Sequence, residues 1–275
     1  MLTRIVRRLA RLAFDRRAVL KWFVPIRGPV LLKLSDFRMY VRLDDWAIGA
    51  RIALKRRYEP HVTAVMRPLL RPGMVMVDIG ANVGYYTLMA ASRVGPTGKV
   101  IAFEPLDDNC ALLSMSLKVN RFQNVTVHPL AVADFEGLVE FVIDDSNGGI
   151  NIGDPPAGAS LVQAVTLDAF LADERRVDIV KMDIEGAEGR ALKGMRALLR
   201  RHRPLLFSEF TPSALPWRSA IEPEDYLDEL RALGYRLFVI DRAQGASPVA
   251  QSNAEIISDF TASRLDHLDL LARPV

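Results

Sequence analysis

The 275-residue sequence has few of the features that mark secreted or membrane-embedded proteins. It contains one cysteine, Cys110, so no disulfide can form within the chain and nothing argues for secretion. Residues 19–34 are rich in apolar side chains, but charged residues, proline and glycine interrupt them before the roughly 20 apolar residues that a membrane span needs. No small-residue cleavage site follows an apolar core, which excludes a signal peptide. We therefore expect a cytoplasmic protein.

Histidine is also scarce, and the positive charge is confined to one end. The four histidines form no cluster with acidic residues at the spacing of metal ligands, so we predict no metal site. Residues 1–21 contain seven basic residues and one acidic residue, which leaves a net charge of −3 on the remainder. A slightly acidic body lacks the basic face that binds nucleic acid, so we predict no nucleic-acid partner.

The basic N-terminal segment has apolar residues at helical spacing, including Ile5, Leu9 and Leu12. We predict a basic helical segment over residues 1–36, followed by an N-terminal helical cap over residues 37–72. Within the cap, residues 37–43 alternate as a strand, and residues 44–57 and 58–70 are predicted as helices. Glu59 and His61 either face the pocket that the cap covers or, as we favour, cap a helix. The basic helix either packs on the domain with a solvated face or makes a peripheral contact with an anionic membrane or a protein partner. The sequence does not indicate the oligomeric state.

The stretch from Val75 to Gly84 organises the rest of the chain. Its β-branched half predicts a buried parallel strand, and the glycine-spaced half predicts a tight turn into a helix that begins near Tyr85. Gly80 and Gly84 allow a ligand to approach the backbone, and Asn82 tolerates the same backbone conformations. We predict that all three residues bind a cofactor.

An acid, Asp78, stands where the strand enters this turn, and the glycine spacing differs from the Gly-x-Gly-x-x-Gly pattern of dinucleotide sites. A carboxylate there would repel a pyrophosphate and attract a cation. S-adenosylmethionine carries a sulfonium and an ammonium group, so it fits better than a nicotinamide dinucleotide. Asp78 could instead cap the following helix.

A second acid, Glu104, closes the next predicted strand, Lys99 to Phe103. An acid at this position can accept hydrogen bonds from both ribose hydroxyls of a cofactor. The third strand, Val125 to His128, leads to Ala131, and we predict that Ala131 and Leu106 enclose the adenine. Asp134 either bonds the adenine amino group or begins a turn, and we favour the turn.

Residues 138–143 and 161–166 are predicted as a strand pair joined by a polar, proline-containing loop, and residues 255–258 as the last strand. A further buried strand, Val177 to Met182, contains Lys181 near its end and runs into a charged turn with Asp183 and Glu185. Open parallel sheets bind ligands at the carboxyl ends of their strands. We predict Asp183 as the first and Glu185 as the second candidate for a catalytic base, and Asp183 also as a cofactor contact. His128 is a third candidate, and a helix-capping role is the alternative for the acids.

The motifs in their order resemble the FkbM family of methyltransferases. The resemblance covers about residues 40–210. It rests on Asp78 to Thr87, Phe103-Glu104-Pro105, Ala131 to Asp134 with Gly137, Lys181 to Glu188, and Glu209, with Tyr58-Glu59-Pro60 upstream. It implies an α/β Rossmann-like methyltransferase fold over residues 73–275. The expected sheet is mostly parallel and seven-stranded, with one antiparallel strand and helices on both faces.

The resemblance also implies S-adenosylmethionine as methyl donor and, most often, a hydroxyl acceptor on a sugar, glycan, polyketide or other small molecule. Three other hypotheses remain: a nicotinamide-dependent oxidoreductase, a non-catalytic cofactor-binding module attached to a membrane-associated assembly, and an RNA methyltransferase. The slightly negative net charge of the chain after residue 21 disfavours an RNA methyltransferase.

Overall fold

The computed structural model describes residues 28–46, 48–144, 147–150, 160–243, 245–246 and 249–275. The predicted basic helix of residues 1–21 lies outside the described residues, as do residues 151–159 of the proline-containing loop. Within the described ranges, no helix is both long and apolar enough to cross a membrane.

The strands follow one another along the whole chain. They are β1 Val30–Lys33, β2 Arg38–Val41, β3 Val75–Ile79, β4 Lys99–Phe103, β5 Val125–His128, β6 Ala131–Val132, β7 Gly137–Asp144, β8 Asn147–Ile150, β9 Ser160–Val165, β10 Ile179–Met182, β11 Leu205–Phe210, β12 Tyr235–Asp241, β13 Gly245–Ala246 and β14 Leu268–Pro274.

Helices connect most of these strands. They are α1 Gly49–Lys55, α2 Pro60–Met66, α3 Tyr85–Val94, α4 Asp107–Asn120, α5 Leu167–Phe170, α6 Glu188–Lys193, α7 Arg196–His202, α8 Leu215–Ser219, α9 Pro223–Ala232 and α10 Asn253–Ser263. The alternation of strands and helices is typical of a doubly wound α/β fold.

The main sheet has the strand order β13-β12-β14-β11-β10-β3-β4-β5 in the described part of the chain. Strands β5, β4, β3, β10 and β11 pair in parallel, and β14 lies antiparallel between β11 and β12. The predicted mostly parallel sheet of seven strands with one antiparallel strand is confirmed, and the two-residue β13 extends its edge.

Alternate residues of the central strands enter two separate hydrophobic cores, because successive side chains of a strand point to opposite faces. Met76 and Ile179 belong to the core that contains α3 and α4, whereas Val77 and Val180 belong to the core that contains α7 and α9. Helices therefore cover both faces, as predicted.

The N-terminal region differs from its prediction. Residues 30–33, inside the predicted helical segment 1–36, form β1 and pair with β2 in an antiparallel hairpin. The apolar run Val30-Leu31-Leu32 follows Pro29 and alternates between exposed and buried, which suits a strand. The predicted helical cap of residues 37–72 is not supported as such. The region consists of β2 and two seven-residue helices, whose Ile52 and Met66 lie in a core shared with the sheet.

The C-terminal region contains a second error. Residues 255–258 are predicted as the last strand, but they lie in α10. Ser252 and Glu255 form a reciprocal capping box at the start of that helix, in which each side chain bonds the other's backbone N–H. The last strand is instead β14, which the sequence analysis does not identify.

A smaller sheet with the order β6-β9-β7-β8 lies beside the main one in the described part of the chain. Strands β7 and β9 form the predicted strand pair, and their orientation is antiparallel. Ala131 and Val132 of β6 pair with Ala164 and Val165 of β9, which fixes β6 close after β5. The small sheet thus places β6 next to the carboxyl ends of β3 and β4.

Candidate active site

The turn after β3 is shaped by backbone that only certain residues adopt. Gly80 has a φ of +77° and Asn82 a φ of +51°, both in the left-handed region. A Cβ added at Gly80 would lie 2.0 Å from the backbone oxygen of Asp183. Glycine at this position therefore lets the turns after β3 and β10 pack against each other.

Glu104, at the end of β4, is fixed by three hydrogen bonds. Its Oε2 accepts from the backbone N–H of Asn82 at 2.7 Å, and its Oε1 accepts from the N–H of Leu106 at 3.0 Å and from Asn109 Nδ2 at 3.2 Å. Burial raises the pKa of Glu104, and these hydrogen bonds oppose the rise. The side chain joins the turn after β3 to the turn after β4.

Asp78 is completely buried and lies beneath the turn rather than on the cavity wall. Its Oδ2 accepts a hydrogen bond from Thr87 Oγ1 at 2.6 Å, and its Oδ1 has no partner among the described residues. Burial raises the pKa of Asp78, and the nearby Lys181 ammonium opposes that effect. The position of Asp78 does not support the predicted direct contact with a cofactor; it connects β3 to the first turn of α3.

Two other predicted cofactor residues also lie off the cavity. Gly84, with a φ of +93°, begins α3, and a Cβ there would lie 2.3 Å from Leu113 Cδ1. The close packing of the start of α3 against α4 therefore explains why this position is a glycine. Leu106 precedes α4, and its backbone N–H bonds Glu104. Leu106 borders a neighbouring, more open depression.

A single cavity of about 800 Å³, counting its open mouth, lies at the carboxyl ends of β3, β4 and β10. Its wall includes six of the predicted site residues, which are Gly80, Asn82, Glu104, Ala131, Asp183 and Glu185. Ile79, Phe103 and Val132 supply apolar surface between these polar groups. Largely apolar walls with a few placed polar groups are typical of small-molecule sites.

Lys181 is the buried cation of this cavity. Its Nζ donates a hydrogen bond to Asp183 Oδ2 at 3.0 Å and lies 4.8 Å from the centre of the Tyr86 ring. Burial alone would lower the pKa of Lys181, but the carboxylates of Asp183, Asp78 and Glu59 outweigh burial and raise it. Lys181 therefore stays charged and balances several acids.

The turn after β10 carries Glu185 in a left-handed backbone conformation, with a φ of +57°. Burial, together with the charge of Asp183, raises the pKa of Glu185 to about 7. Glu188, in the first turn of α6, is fully buried, and burial raises its pKa to about 8. Glu188 Oε1 accepts the backbone N–H of Ile184 at 2.9 Å, so this acid closes the turn rather than facing the cavity.

Two residues with alternative roles in the sequence analysis lie elsewhere. His128 stacks on Phe103, with ring centres 5.2 Å apart, and burial lowers its pKa. It does not line the cavity and is poorly placed to act as a base there. Asp134 pairs with Arg190 at 2.9 Å and is also remote from the cavity wall.

The sequence analysis missed several residues of the cavity, namely Tyr58, Tyr85, Tyr86 and Phe141. Tyr85 and Tyr86 directly follow the glycine-spaced turn, so their position at the start of α3 was a usable signal. Tyr58 belongs to a motif of the family resemblance, whereas no local pattern reveals how the segment of Phe141 packs against the strand ends. In the described ranges, no group of three or more His, Cys, Asp or Glu side chains is placed to hold a metal ion.

Comparison with known families gives a match to the methyltransferase FkbM domain over residues 78–237, which is more than half of the chain. This chain belongs to the FkbM methyltransferase family. The matched segment begins at Asp78 and includes every predicted site residue. The family assignment confirms the resemblance on which the sequence analysis relied.

Individual relatives of this FkbM-family chain match it only in part. A protein-L-isoaspartate O-methyltransferase from Methanothrix thermoacetophila is 33% identical over 70 residues, which are 25% of this chain and 33% of that protein. A ribosomal RNA large subunit methyltransferase E from Nitrosomonas eutropha is 51% identical over 50 residues, 18% of this chain and 24% of that protein. The chain thus spans a quarter to a third of these curated relatives.

Among solved structures, the methyltransferase FkbM from Methylobacillus flagellatus KT is similar, with a TM-score of 0.47 and 20% sequence identity. The alignment covers 72% of this chain and 43% of that one.

Proposed function

We propose that this protein transfers a methyl group from S-adenosylmethionine to a hydroxyl group of a sugar or another small-molecule, glycan or polyketide acceptor. One observation carries the proposal: a single cavity brings the Gly80 turn and Glu104 together with the Lys181–Asp183 ion pair. The Gly80 turn and Glu104 suit a nucleoside cofactor. The Lys181–Asp183 ion pair suits the place where the acceptor approaches.

The residues present fit S-adenosylmethionine. Glu104 and the left-handed Asn82 can receive the ribose, while Ala131, Val132 and Phe103 offer apolar surface to the adenine. When bound, the cofactor supplies a methyl group activated by a sulfonium. The chain's own task is to hold the acceptor oxygen in line with that methyl group and to exclude water.

Glu104 can take about one further hydrogen bond. A carboxylate has roughly four acceptor positions, and three backbone and side-chain donors already occupy three of them. A two-pronged bond to both ribose hydroxyls therefore requires one of these donors to move. The three existing bonds fix the carboxylate before a ligand arrives, which reduces the cost of binding.

Asp183 and Glu185 are proposed to act on the acceptor side. Both line the cavity at the end of β10. Because Asp183 is bound to Lys181, its orientation is fixed, whereas the pKa of Glu185 is raised to about 7 mainly by burial. A carboxylate that titrates near neutrality can accept a proton from a hydroxyl group at physiological pH.

The competing hypotheses fit the observations less well. A dinucleotide pyrophosphate would meet the acids around Lys181, which disfavours a nicotinamide-dependent oxidoreductase. An RNA acceptor would meet the same acids, although one relative in the comparisons is an RNA methyltransferase. A non-catalytic module would not need Lys181, Asp183 and Glu185 at the cavity wall. A peripheral contact through residues 1–21 remains a prediction.

The test is a labelling experiment. The protein is incubated with S-adenosylmethionine labelled in its methyl group and with a metabolite extract, and the extract is then separated into small-molecule, glycan, RNA and protein fractions. We expect label in a hydroxyl-rich small-molecule or glycan fraction and none with heat-inactivated protein. Label confined to RNA or protein, or a thermal shift with a nicotinamide dinucleotide and none with S-adenosylmethionine, would contradict the proposal.

A further inference from the structure

A second, smaller cavity adjoins the first. Its volume is about 240 Å³, and Lys181 and Asp183 belong to the walls of both cavities. The second cavity lies at the carboxyl ends of β10 and β11, where α2 and β14 close it. So small a space, counted with its open mouth, holds one hydroxyl-sized group rather than a whole substrate.

Four carboxyl groups line this second cavity: Glu59, Asp183, Glu209 and Asp269. Asp183 contacts the Lys181 ammonium at 3.0 Å, and Asp269 contacts His61 Nε2 at 2.7 Å. These two acids are bound to basic side chains, so their oxygens are less available to take a proton from a substrate.

Glu209 is a poor base for a different reason. Its Oε1 lies 3.2 Å from His267 Nδ1, its Oε2 is buried without a partner among the described residues, and its side chain is 8% exposed. Burial raises the pKa of Glu209 well above its ordinary value, which favours its protonated form. A protonated carboxyl can donate a hydrogen bond to a substrate oxygen but cannot accept its proton.

Glu59 differs from the other three acids in its contacts. Its Oε2 accepts a hydrogen bond from the neutral phenol of Tyr86 at 2.8 Å, and no other described side chain bonds to it. Tyr86 is 3% exposed and packs against Tyr58 and Tyr85 in an aromatic cluster, so the donor is rigidly held. The bond aims the carboxyl group at the cavity.

The backbone of Glu59 is strained. Its φ of +34° and ψ of +70° place a non-glycine residue in the left-handed region, just before Pro60 starts α2. Such conformations are energetically unfavourable for residues other than glycine and cluster at functional sites. The side chain does not cap α2, since it makes no capping hydrogen bond. Glu59 instead shares the wall of the second cavity with Lys181 and Asp183.

The charges around Glu59 suit a base that works near neutrality. Burial raises its pKa to about 7, and Asp183 after β10 and Asp269 on β14 act in the same direction. Lys181 on β10 and the hydrogen bond from Tyr86 on α3 oppose the rise. An ideal general base titrates near the operating pH.

We propose that Glu59 is the general base of the methyl transfer, and that the second cavity holds the acceptor hydroxyl. This inference rests on the proposed function. The acceptor oxygen forms a bond to the methyl carbon as the carbon–sulfur bond breaks, and that bonding pair passes to sulfur, which becomes a neutral thioether. The hydroxyl proton passes to the Glu59 carboxylate. Glu59 takes this role instead of Glu185, and Asp183 is a positioning residue that holds Lys181.

The first arm of the test needs no acceptor. Carboxyl carbons of glutamate are labelled with ¹³C, and their pH titrations are followed by NMR in the wild-type protein and in Glu59→Gln. We expect one resonance that titrates near pH 7 to be missing in the variant, while those of Glu185 and Glu188 remain. If the missing resonance titrates at the ordinary glutamate value, Glu59 is not the base, whatever the protein methylates.

The second arm measures label transfer to the wild-type product fraction between pH 5.5 and 9.5. We expect the wild-type rate to rise with pH through an apparent pKa near 7. Glu59→Gln should lower the rate about 10²- to 10⁴-fold and abolish the rise of the rate with pH, which is the ascending limb of the pH–rate profile. The cofactor affinity of this variant should be unchanged. Glu136→Gln, which alters an exposed turn residue, is the control and should keep the wild-type profile.

Two conservative variants separate Glu59 from Asp183. Asp183→Asn removes a charge that raises the pKa of Glu59, so the limb should move to lower pH and persist. Tyr86→Phe removes a hydrogen bond that lowers this pKa, so the limb should move to higher pH. If Asp183→Asn abolishes the limb and Glu59→Gln keeps it, Asp183 is the base and our inference is wrong. Cofactor binding without label transfer to any fraction would contradict the proposed function but not the titration result.

Discussion

At the residue scale, the site depends on a few side chains whose environments differ although their chemistry is the same. Glu104, Asp78 and Glu59 are all carboxylic acids near the same strand ends. Glu104 lines the larger cavity and is held by three hydrogen bonds, whereas Asp78 lies beneath that cavity. Glu59, just before α2, lines the smaller cavity. Their positions, rather than their type, are the basis on which we propose cofactor binding for Glu104, packing for Asp78 and proton transfer for Glu59.

Replacing Glu104 by glutamine should weaken cofactor binding without unfolding the protein. The amide keeps the shape of the side chain but loses the charge and places a donor where a ribose hydroxyl must donate. Loss of a hydrogen bond to a charged group costs about 1.5–3 kcal/mol, which is roughly a 10- to 150-fold rise in Kd. Calorimetry with S-adenosylmethionine measures this, with Glu136→Gln as the control. Unchanged affinity would remove Glu104 from the cofactor site.

Replacing Asp78 by alanine should reduce stability more than affinity. The change leaves Thr87 without its acceptor and removes a carboxyl group that faces Lys181. An unsatisfied buried polar group costs about 1–3 kcal/mol. We expect a lower urea midpoint and a smaller change in cofactor affinity than in Glu104→Gln. A stable variant that no longer binds the cofactor would show that Asp78 acts on the ligand after all.

At the element scale, the strands with strong apolar content were predictable and the segments that depend on tertiary pairing were not. Strands β3, β4 and β5 lie where the sequence predicts them. Strand β2 lies within the predicted strand of residues 37–43, but β1 was misassigned to the helical segment 1–36. The antiparallel β14 was missed, because its partners β11 and β12 are distant in sequence. Residues 255–258 were predicted as a strand, although Ser252 and Glu255 carry the spacing of a capping box.

The candidate site likewise contains residues that the sequence could place and residues that it could not. Asn82, Glu104 and Asp183 follow predicted parallel strands, and parallel strands bring their carboxyl ends to one edge, so the sequence could place them together. Glu59 was considered only in passing, since its approach to Lys181 depends on how α2 packs against the ends of β10 and β14. No period or motif in a single sequence encodes that contact.

The capping box gives a prediction for α10. Ser252→Ala removes the side-chain acceptor of the Glu255 N–H, and the loss of such a cap costs about 1 kcal/mol. We expect a lower unfolding midpoint in urea with cofactor affinity unchanged, because α10 lies outside the cavity wall. A variant as stable as the wild type would show that the rest of the fold holds this helix without its cap.

At the scale of the whole molecule, buried acids should make the stability of the cofactor-free protein fall as pH rises. Burial raises the pKa of Glu59 and Glu185 to about 7 and that of Glu188 to about 8, whereas an unfolded glutamate titrates near 4.3. The folded state therefore binds more protons between those values. The stabilisation is complete below about pH 4.3 and is lost as pH rises to about 7–8.

Thermal unfolding between pH 5 and 8.5 measures this effect, which amounts to at most about 1.4 kcal/mol per pH unit for each group. Tm should fall across the range, and Glu188→Gln, which removes one buried acid, should flatten the fall. A Tm that rises steadily from pH 5 to 8 would show that these acids are ionised in the folded protein.

The central claim is that one cavity, at the carboxyl ends of β3, β4 and β10, holds the methyl donor. A crystal structure with S-adenosylhomocysteine tests it most directly. We predict the ribose within hydrogen-bond distance of Glu104, the adenine beside Ala131, and the sulfur turned towards the wall shared by Lys181 and Asp183. A ligand bound anywhere else, or a ribose that does not reach Glu104, would contradict the account.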